Sequence, residues 1–198
     1  GQTGAYTEYV LKSEAYCDIF VDGNDTGFDI SAASPTATID FYRMTVRITD
    51  DAPWTDADVT LRDSNGNLAA VLAAGETEGN TVTYRKILQE NTTDIYGVYV
   101  NGQNSHKTVQ AMSGQQTTAI SYYTATVNIV GKLSNAMVTM TNGLESYTFA
   151  QNETGENSKT YTAKHVLIRE TNSEEAKYAV TVANTIDATP EVIHSGKK

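Results

Sequence analysis

One stretch of strand-and-turn sequence occurs twice in this chain, and the distance between the copies sets the size of the folding unit. The later copy, residues 96–109, reads Tyr-Gly-Val-Tyr-Val-Asn-Gly-Gln-Asn-Ser-His-Lys-Thr-Val, and the earlier, residues 17–30, reads Cys-Asp-Ile-Phe-Val-Asp-Gly-Asn-Asp-Thr-Gly-Phe-Asp-Ile. A second strand pattern follows each, at 37–46 and 118–127. Gly23 to Gly102 is a shift of 79 positions and Ile39 to Ile120 a shift of 81, so the intervening loop is two residues longer in the later copy. Self-similarity at a fixed period predicts a repeat array. A period of about 80 residues gives units large enough for a small core of their own.

The periods inside the motif are those of strands. Cys17, Ile19 and Val21 alternate with Asp18 and Phe20, and Met44, Val46 and Ile48 alternate with Thr45, Arg47 and Thr49. Turn residues punctuate them: Asp22-Gly23-Asn24-Asp25, and Asp63-Ser64-Asn65-Gly66-Asn67, whose Asn-Gly dipeptide suits a type I′ hairpin. Strands are expected at Ala37–Tyr42, Val59–Leu61, Leu68–Ala73, Thr81–Leu88, Tyr96–Asn101, Lys107–Met112 and Thr117–Tyr123, with Tyr9-Val10-Leu11 ahead of the first copy. Val138-Thr139-Met140 matches Val59-Thr60-Leu61, and Thr162 to Leu167 matches Thr83 to Leu88, each after the same shift of 79.

The reading is all-β: tandem Greek-key β-sandwiches of prealbumin or immunoglobulin-like type, end to end. Residues 1–42 form a partial unit, 43–122 a complete seven-stranded unit, and 123–198 another unit that lacks a closing strand. Neither joint carries a Gly, Pro or Ser-rich linker, so stiff coupling is expected. Val46, Ile48, Val59, Leu61, Val98, Val100 and Ile120 are the expected core. Cys17, in phase with Ile19, reads as a small apolar residue, and a single cysteine leaves no intramolecular disulfide.

A net charge of -10 works against binding to nucleic acid or anionic membrane. The longest apolar run, Leu68 to Ala74, is too short to insert into a bilayer. The chain opens Gly1-Gln2-Thr3 without an initiator Met or a leader, as a mature or trimmed fragment would.

The motifs at 59–61, 65–66, 96–109 and 119–127, with 17–46 as the second copy, resemble the tandem repeats of Firmicutes surface proteins. That resemblance implies prealbumin-like sandwiches related to Cna B-type stalk modules and carboxypeptidase regulatory domains. It implies an extracellular location, at the bacterial cell surface or secreted, and a non-catalytic structural or adhesive role. Cna B-type modules commonly carry an isopeptide crosslink from a first-strand Lys. Here that strand offers Arg43 and Arg47, and Lys132 lies beyond the end of the matching strand in the next unit, so no crosslink is expected.

Few residues suggest chemistry. Asp50, Asp51, Asp56 and Asp58 gather in one loop and could supply oxygen ligands to Ca²⁺, although they lack the spacing of a recognised loop and Asp in turns ordinarily caps backbone N–H groups. His106, His165 and His194 lack zinc spacing. Ser105 and His106 near Asp94 lack the glycines of a nucleophile elbow. No cofactor and no catalytic residue is expected. Phe20, Trp54 and Tyr99 are the aromatics that could stack on a sugar, which makes a carbohydrate-binding module one alternative and an accessory domain of a larger secreted enzyme the other. The partners to expect are a host or cell-surface protein or glycan, and further copies of the chain through the partial terminal units.

Overall fold

The computed structural model describes residues 16–131, 136–154, 158–168, 170–171, 174–175 and 177–184. Tyr9-Val10-Leu11, Lys132, His194 and the tail from Asp187 lie outside them. The described chain is all-β, with no helical segment. Its strands are β1 (Cys17–Val21), β2 (Asn24–Ile30), β3 (Phe41–Thr49), β4 (Val59–Arg62), β5 (Leu68–Glu78), β6 (Thr81–Gln89), β7 (Tyr96–Val100) and β8 (Gln103–Val109). After them come β9 (Thr117–Val130), β10 (Ala136–Thr141), β11 (Ser146–Thr148), β12 (Ala150–Thr154), β13 (Ser158–Leu167), β14 (Glu170–Thr171), β15 (Glu174–Glu175) and β16 (Ala179–Asn184).

Two compact units divide the chain. The first draws its described residues from Gly1–Arg47, Thr55–Thr77 and Val82–Ala119, the second from Ile48–Trp54, Glu78–Thr81 and Ile120–Lys198. In the first unit strands β3-β6-β5-β4-β7-β8 lie side by side in that order, and β1 and β2 form a two-stranded sheet. In the second unit β12, β13 and β9 pair in one sheet, while β11-β10-β16 form another.

The expected core phase is the observed one. Met44, Val46, Ile48, Val59, Leu61 and Val98 are wholly buried, and Val100 and Ile120 nearly so, while Thr45, Arg47 and Thr49 point outward. In the second unit Val127, Ile129, Val138, Met140, Tyr161 and Val166 pack into one cluster, with Val180 and Val182 against it. Val98→Ala is expected to cost about 1–3 kcal/mol from lost burial and a residual cavity. A urea midpoint unchanged from the parent would refute the assigned strand phase.

Three local readings are corrected. Residues 37–40 are not strand, and β3 starts at Phe41. Ile39 and Phe41 lie on the odd phase and Met44, Val46 and Ile48 on the even one; the even phase is the one that is buried, so it sets the strand. The segment before β3 is tied by one backbone bond, Glu90 N–H to Asp40 O at 2.7 Å. Lys107–Met112 is the second, because β8 starts at Gln103, directly after a two-residue turn, and the chain turns off at Gln110.

The third concerns Asn65-Gly66. Only Gly66 has positive φ there (83°), which is a type I turn closed by a left-handed glycine rather than type I′. Asp63 selects it: its Oδ1 accepts the N–H groups of Asn65 and Asn67 at 2.9 and 2.8 Å. The Asn67 amide also donates to Oδ2, and these bonds hold the Asp63 carboxyl below the usual carboxylate range. Type I′ geometry occurs instead at Asp22-Gly23 (φ 51° and 78°) and Asn101-Gly102 (φ 48° and 77°).

These two turns close matching hairpins. In β1–β2, Cys17 faces Ile30, Asp18 faces Asp29, Phe20 faces Asp25 and Val21 faces Asn24. In β7–β8, Tyr96 faces Val109, Gly97 faces Thr108, Tyr99 faces Asn104 and Val100 faces Gln103. Every pair recurs at the shift of 79, and so does the bulge between the second and third. A left-handed residue sits at the same place in each bulge, Gly27 (φ 69°) and His106 (φ 57°). The hydroxyls of Thr26 and Ser105 reach across to Ile19 O at 2.7 Å and Val98 O at 2.8 Å.

Candidate functional site

The second unit holds a polar and aromatic arrangement that forms where a strand changes phase. Along β9, Ile120 and Tyr122 are buried on even positions, then Val127 and Ile129 on odd ones. A strand with period two can change phase only through an irregularity. It lies in the partner strand: Ala163 faces Ala125 and Val166 faces Tyr123, leaving Lys164 and His165 together opposite Thr124. His165 takes the strain of this bulge with φ at 55°, a left-handed conformation unusual for a residue other than glycine.

The acidic segment after β3 holds both sides of the irregularity. Asp51 Oδ2 accepts the Thr124 N–H at 2.5 Å, and Asp50 Oδ2 lies 2.5 Å from His165 Nδ1. Asp50 is buried, with a side chain 4% exposed against 38% for His165, so the imidazole stands between the carboxylate and solvent. Asp50 Oδ1 also accepts the Asp51 N–H at 2.7 Å. A carboxylate can only accept, so Nδ1 carries the proton and Nε2 is the ring's other, acceptor nitrogen in the neutral form. Trp54 lies flat on the imidazole, ring centroids 3.7 Å apart and planes 11° from parallel. Tyr122 meets the indole edge-on at 5.3 Å. Burial pushes the Tyr122 phenol well above its ordinary value, and the nearby Tyr147, Asp50 and Glu145 add to the effect, so it stays a neutral hydroxyl.

A second polar knot lies in the same unit. The Tyr178 hydroxyl is 2.8 Å from Glu145 Oε2 and 3.2 Å from Leu167 O, and Tyr147 OH accepts the Leu167 N–H at 3.1 Å. Burial, and then the bond to Glu145, raise the Tyr178 phenol well above its ordinary value.

The four aspartates read as Ca²⁺ candidates stand in different surroundings. Asp50 and Asp51 hold an imidazole and a backbone N–H. Asp56 and Asp58 are exposed, and the Asp58 N–H donates to Asn101 Oδ1 at 2.7 Å. Among the described residues no three of His, Cys, Asp and Glu come together as a metal cage requires. The Ser105 hydroxyl donates to Val98 O, tying it into the hairpin, and Asp94 accepts from Asn91.

The three candidate aromatics differ in environment. Trp54 is 8% exposed, and a sugar could reach its stacked face only by displacing His165. Tyr99 is half-buried beneath the Arg62 guanidinium, 5.1 Å from the ring centre. Phe20 is 58% exposed, and Tyr16 is 72% exposed. Cys17 is half-buried. Sequence reasoning missed the partnership of His165 with Asp50, 115 positions away. The one available signal was a histidine where the matching strand has Lys86. No protein-family model matches the chain, and a search of curated proteins finds no match either.

Proposed function

We propose that the chain is a non-catalytic extracellular segment of a bacterial surface protein, a tandem array of prealbumin-like Greek-key sandwiches serving as stalk or adhesive surface. The observation that carries this reading is the hairpin that recurs pair for pair at a shift of 79. A second recurrence supports it. β4 pairs with β7 through Val59–Val100, Thr60–Tyr99 and Leu61–Val98, and β10 pairs with β16 through Val138–Val182, Thr139–Thr181 and Met140–Val180. Repetition of two strand pairings suits a protein that gains reach by adding copies. The polar side chains at the phase change of β9 act on this reading as a clasp for the bulge.

Antibodies raised against the chain are expected to label intact cells of the organism that makes it, with external protease removing the signal. Labelling that requires permeabilised cells would overturn the reading. The exposure of Phe20 and Tyr16 favours a second reading, a carbohydrate-binding module, which a glycan array separates from the first: saturable glycan binding abolished by Phe20→Ala would establish it.

A further inference from the structure

Three Asn-Gly dipeptides stand in turns of this chain: Asn65-Gly66, Asn101-Gly102 and Asn142-Gly143. The dipeptide is prone to a reaction that needs no enzyme, because a glycine nitrogen, with no Cβ beside it to bar the approach, can attack the asparagine Cγ. The side-chain nitrogen leaves as ammonia with the proton of the attacking N–H, and a cyclic imide closes. Water then opens the imide at either carbonyl, leaving aspartate or, with the main chain rerouted through the side-chain carbon, isoaspartate. Water is the only co-reactant.

For this attack the asparagine side chain must swing over its own following peptide bond, and hydrogen bonds restrain two of the three from doing so. Asn142 Oδ1 accepts the N–H groups of Leu144 and Glu145 at 2.9 and 2.8 Å, and its Nδ2 donates to Glu145 Oε2 at 2.7 Å. Asn101 Oδ1 accepts the Asp58 N–H at 2.7 Å while its own N–H donates to Asp58 O at 2.8 Å, so the loop before β4 grips the residue by side chain and backbone together. Asn65 differs. It is exposed, and among the described residues its side-chain amide makes no hydrogen bond; only its backbone N–H is engaged, by Asp63 Oδ1. The nucleophile does not separate Asn65 from Asn142, since the N–H groups of Gly66 and Gly143 are each held at 3.0 Å, by Asp63 O and by Thr141 Oγ1.

We propose that Asn65 is a site of spontaneous deamidation, reacting ahead of Asn101 and Asn142, and that the product sets a second carboxylate beside Asp63 in the β4–β5 turn. Asp63 Oδ1 already accepts the N–H groups of residues 65 and 67 there. The isoaspartate form, longer by one main-chain methylene, stretches the loop that the bond from Gly66 N–H to Asp63 O closes. The inference stands on the turn geometry and does not depend on the surface-protein reading.

The test incubates the full chain in mildly alkaline buffer, folded in one series and unfolded in guanidinium in the other, and follows the three sites by peptide mapping with mass spectrometry. Each event takes the net charge one below -10, so ion exchange gives an independent count. In the folded chain Asn65 is expected to convert at least about fivefold faster than either other site, the factor that one net hydrogen bond supplies. In guanidinium the three rates are expected to converge. Equal rates in the folded chain, or earlier loss at Asn101 or Asn142, overturn the proposal. An order that survives unfolding overturns it as well, because the local sequence and not the fold would then set the rates. So does a folded chain that keeps Asn65 intact while the unfolded one converts at all three sites.

Discussion

Replacing Trp54 by alanine is expected to lower the stability of the chain by about 3–5 kcal/mol, the range for emptying a buried aromatic site. The indole is 8% exposed and touches two rings in different geometries, face to face with His165 and edge to face with Tyr122. Aromatic contacts of this kind add roughly 0.5–1.5 kcal/mol beyond the area they bury. Trp54→Phe, which keeps a ring in place, should recover more than half of the loss. Urea denaturation followed by circular dichroism measures both variants. Since Trp54 is the only tryptophan of the chain, the parent's fluorescence reports on the same site: Tyr122→Leu and His165→Ala should each shift its emission. An unchanged midpoint in Trp54→Ala would mean that the stack contributes nothing to the fold.

The second large effect is expected from Asp50→Ala, at about 1–3 kcal/mol, the cost of leaving hydrogen-bonding groups without the buried acceptor they point to. The substitution removes the acceptor of His165 Nδ1 and of the Asp51 N–H together. The strained backbone of His165 then loses the contact that repays its left-handed conformation. Asp50→Asn keeps an acceptor oxygen and should cost less than half as much. A double-mutant cycle with His165→Ala isolates the pair: a coupling above about 1 kcal/mol is expected for groups in direct contact. A coupling near zero would show that Asp50 acts only through its own loop.

Strand phase was legible in the sequence because burial on one face leaves a period-two record. Met44, Val46 and Ile48, Val59 and Leu61, and Val98 and Val100 can be assigned to the interior without coordinates. The same period failed at residues 37–41, where two apolar phases meet within five positions and only packing decides which is kept. The glycine turns were legible as turns but not by type, because the side chain of Asp63, two residues before Asn65, chooses the geometry at Asn65-Gly66. Least legible was the arrangement around His165. A β-bulge is a property of two strands in register, and the aspartate that anchors this one comes from another part of the sequence. The acidic cluster drew attention for its charge; what Asp50 and Asp51 do depends on β9 and β13, whose pairing no local pattern announces.

The paired hydroxyls of Thr26 and Ser105 have a bearing on how such hairpins could be found elsewhere. Each follows the run Asx-Gly-x-Asx: the first two residues make the type I′ turn, and the second Asx accepts the N–H of the left-handed residue, Gly27 to Asp25 Oδ1 and His106 to Asn104 Oδ1, each at 2.8 Å. The hydroxyl between them bridges to the facing strand. Valine could fill the volume of that threonine, yet it would strip a carbonyl of its donor, so the position favours Ser or Thr. Five consecutive residues, Asx-Gly-x-Asx-Ser/Thr, thereby become a searchable signature. It is legible even where the flanking strands have drifted from cysteine to tyrosine and from aspartate to glycine.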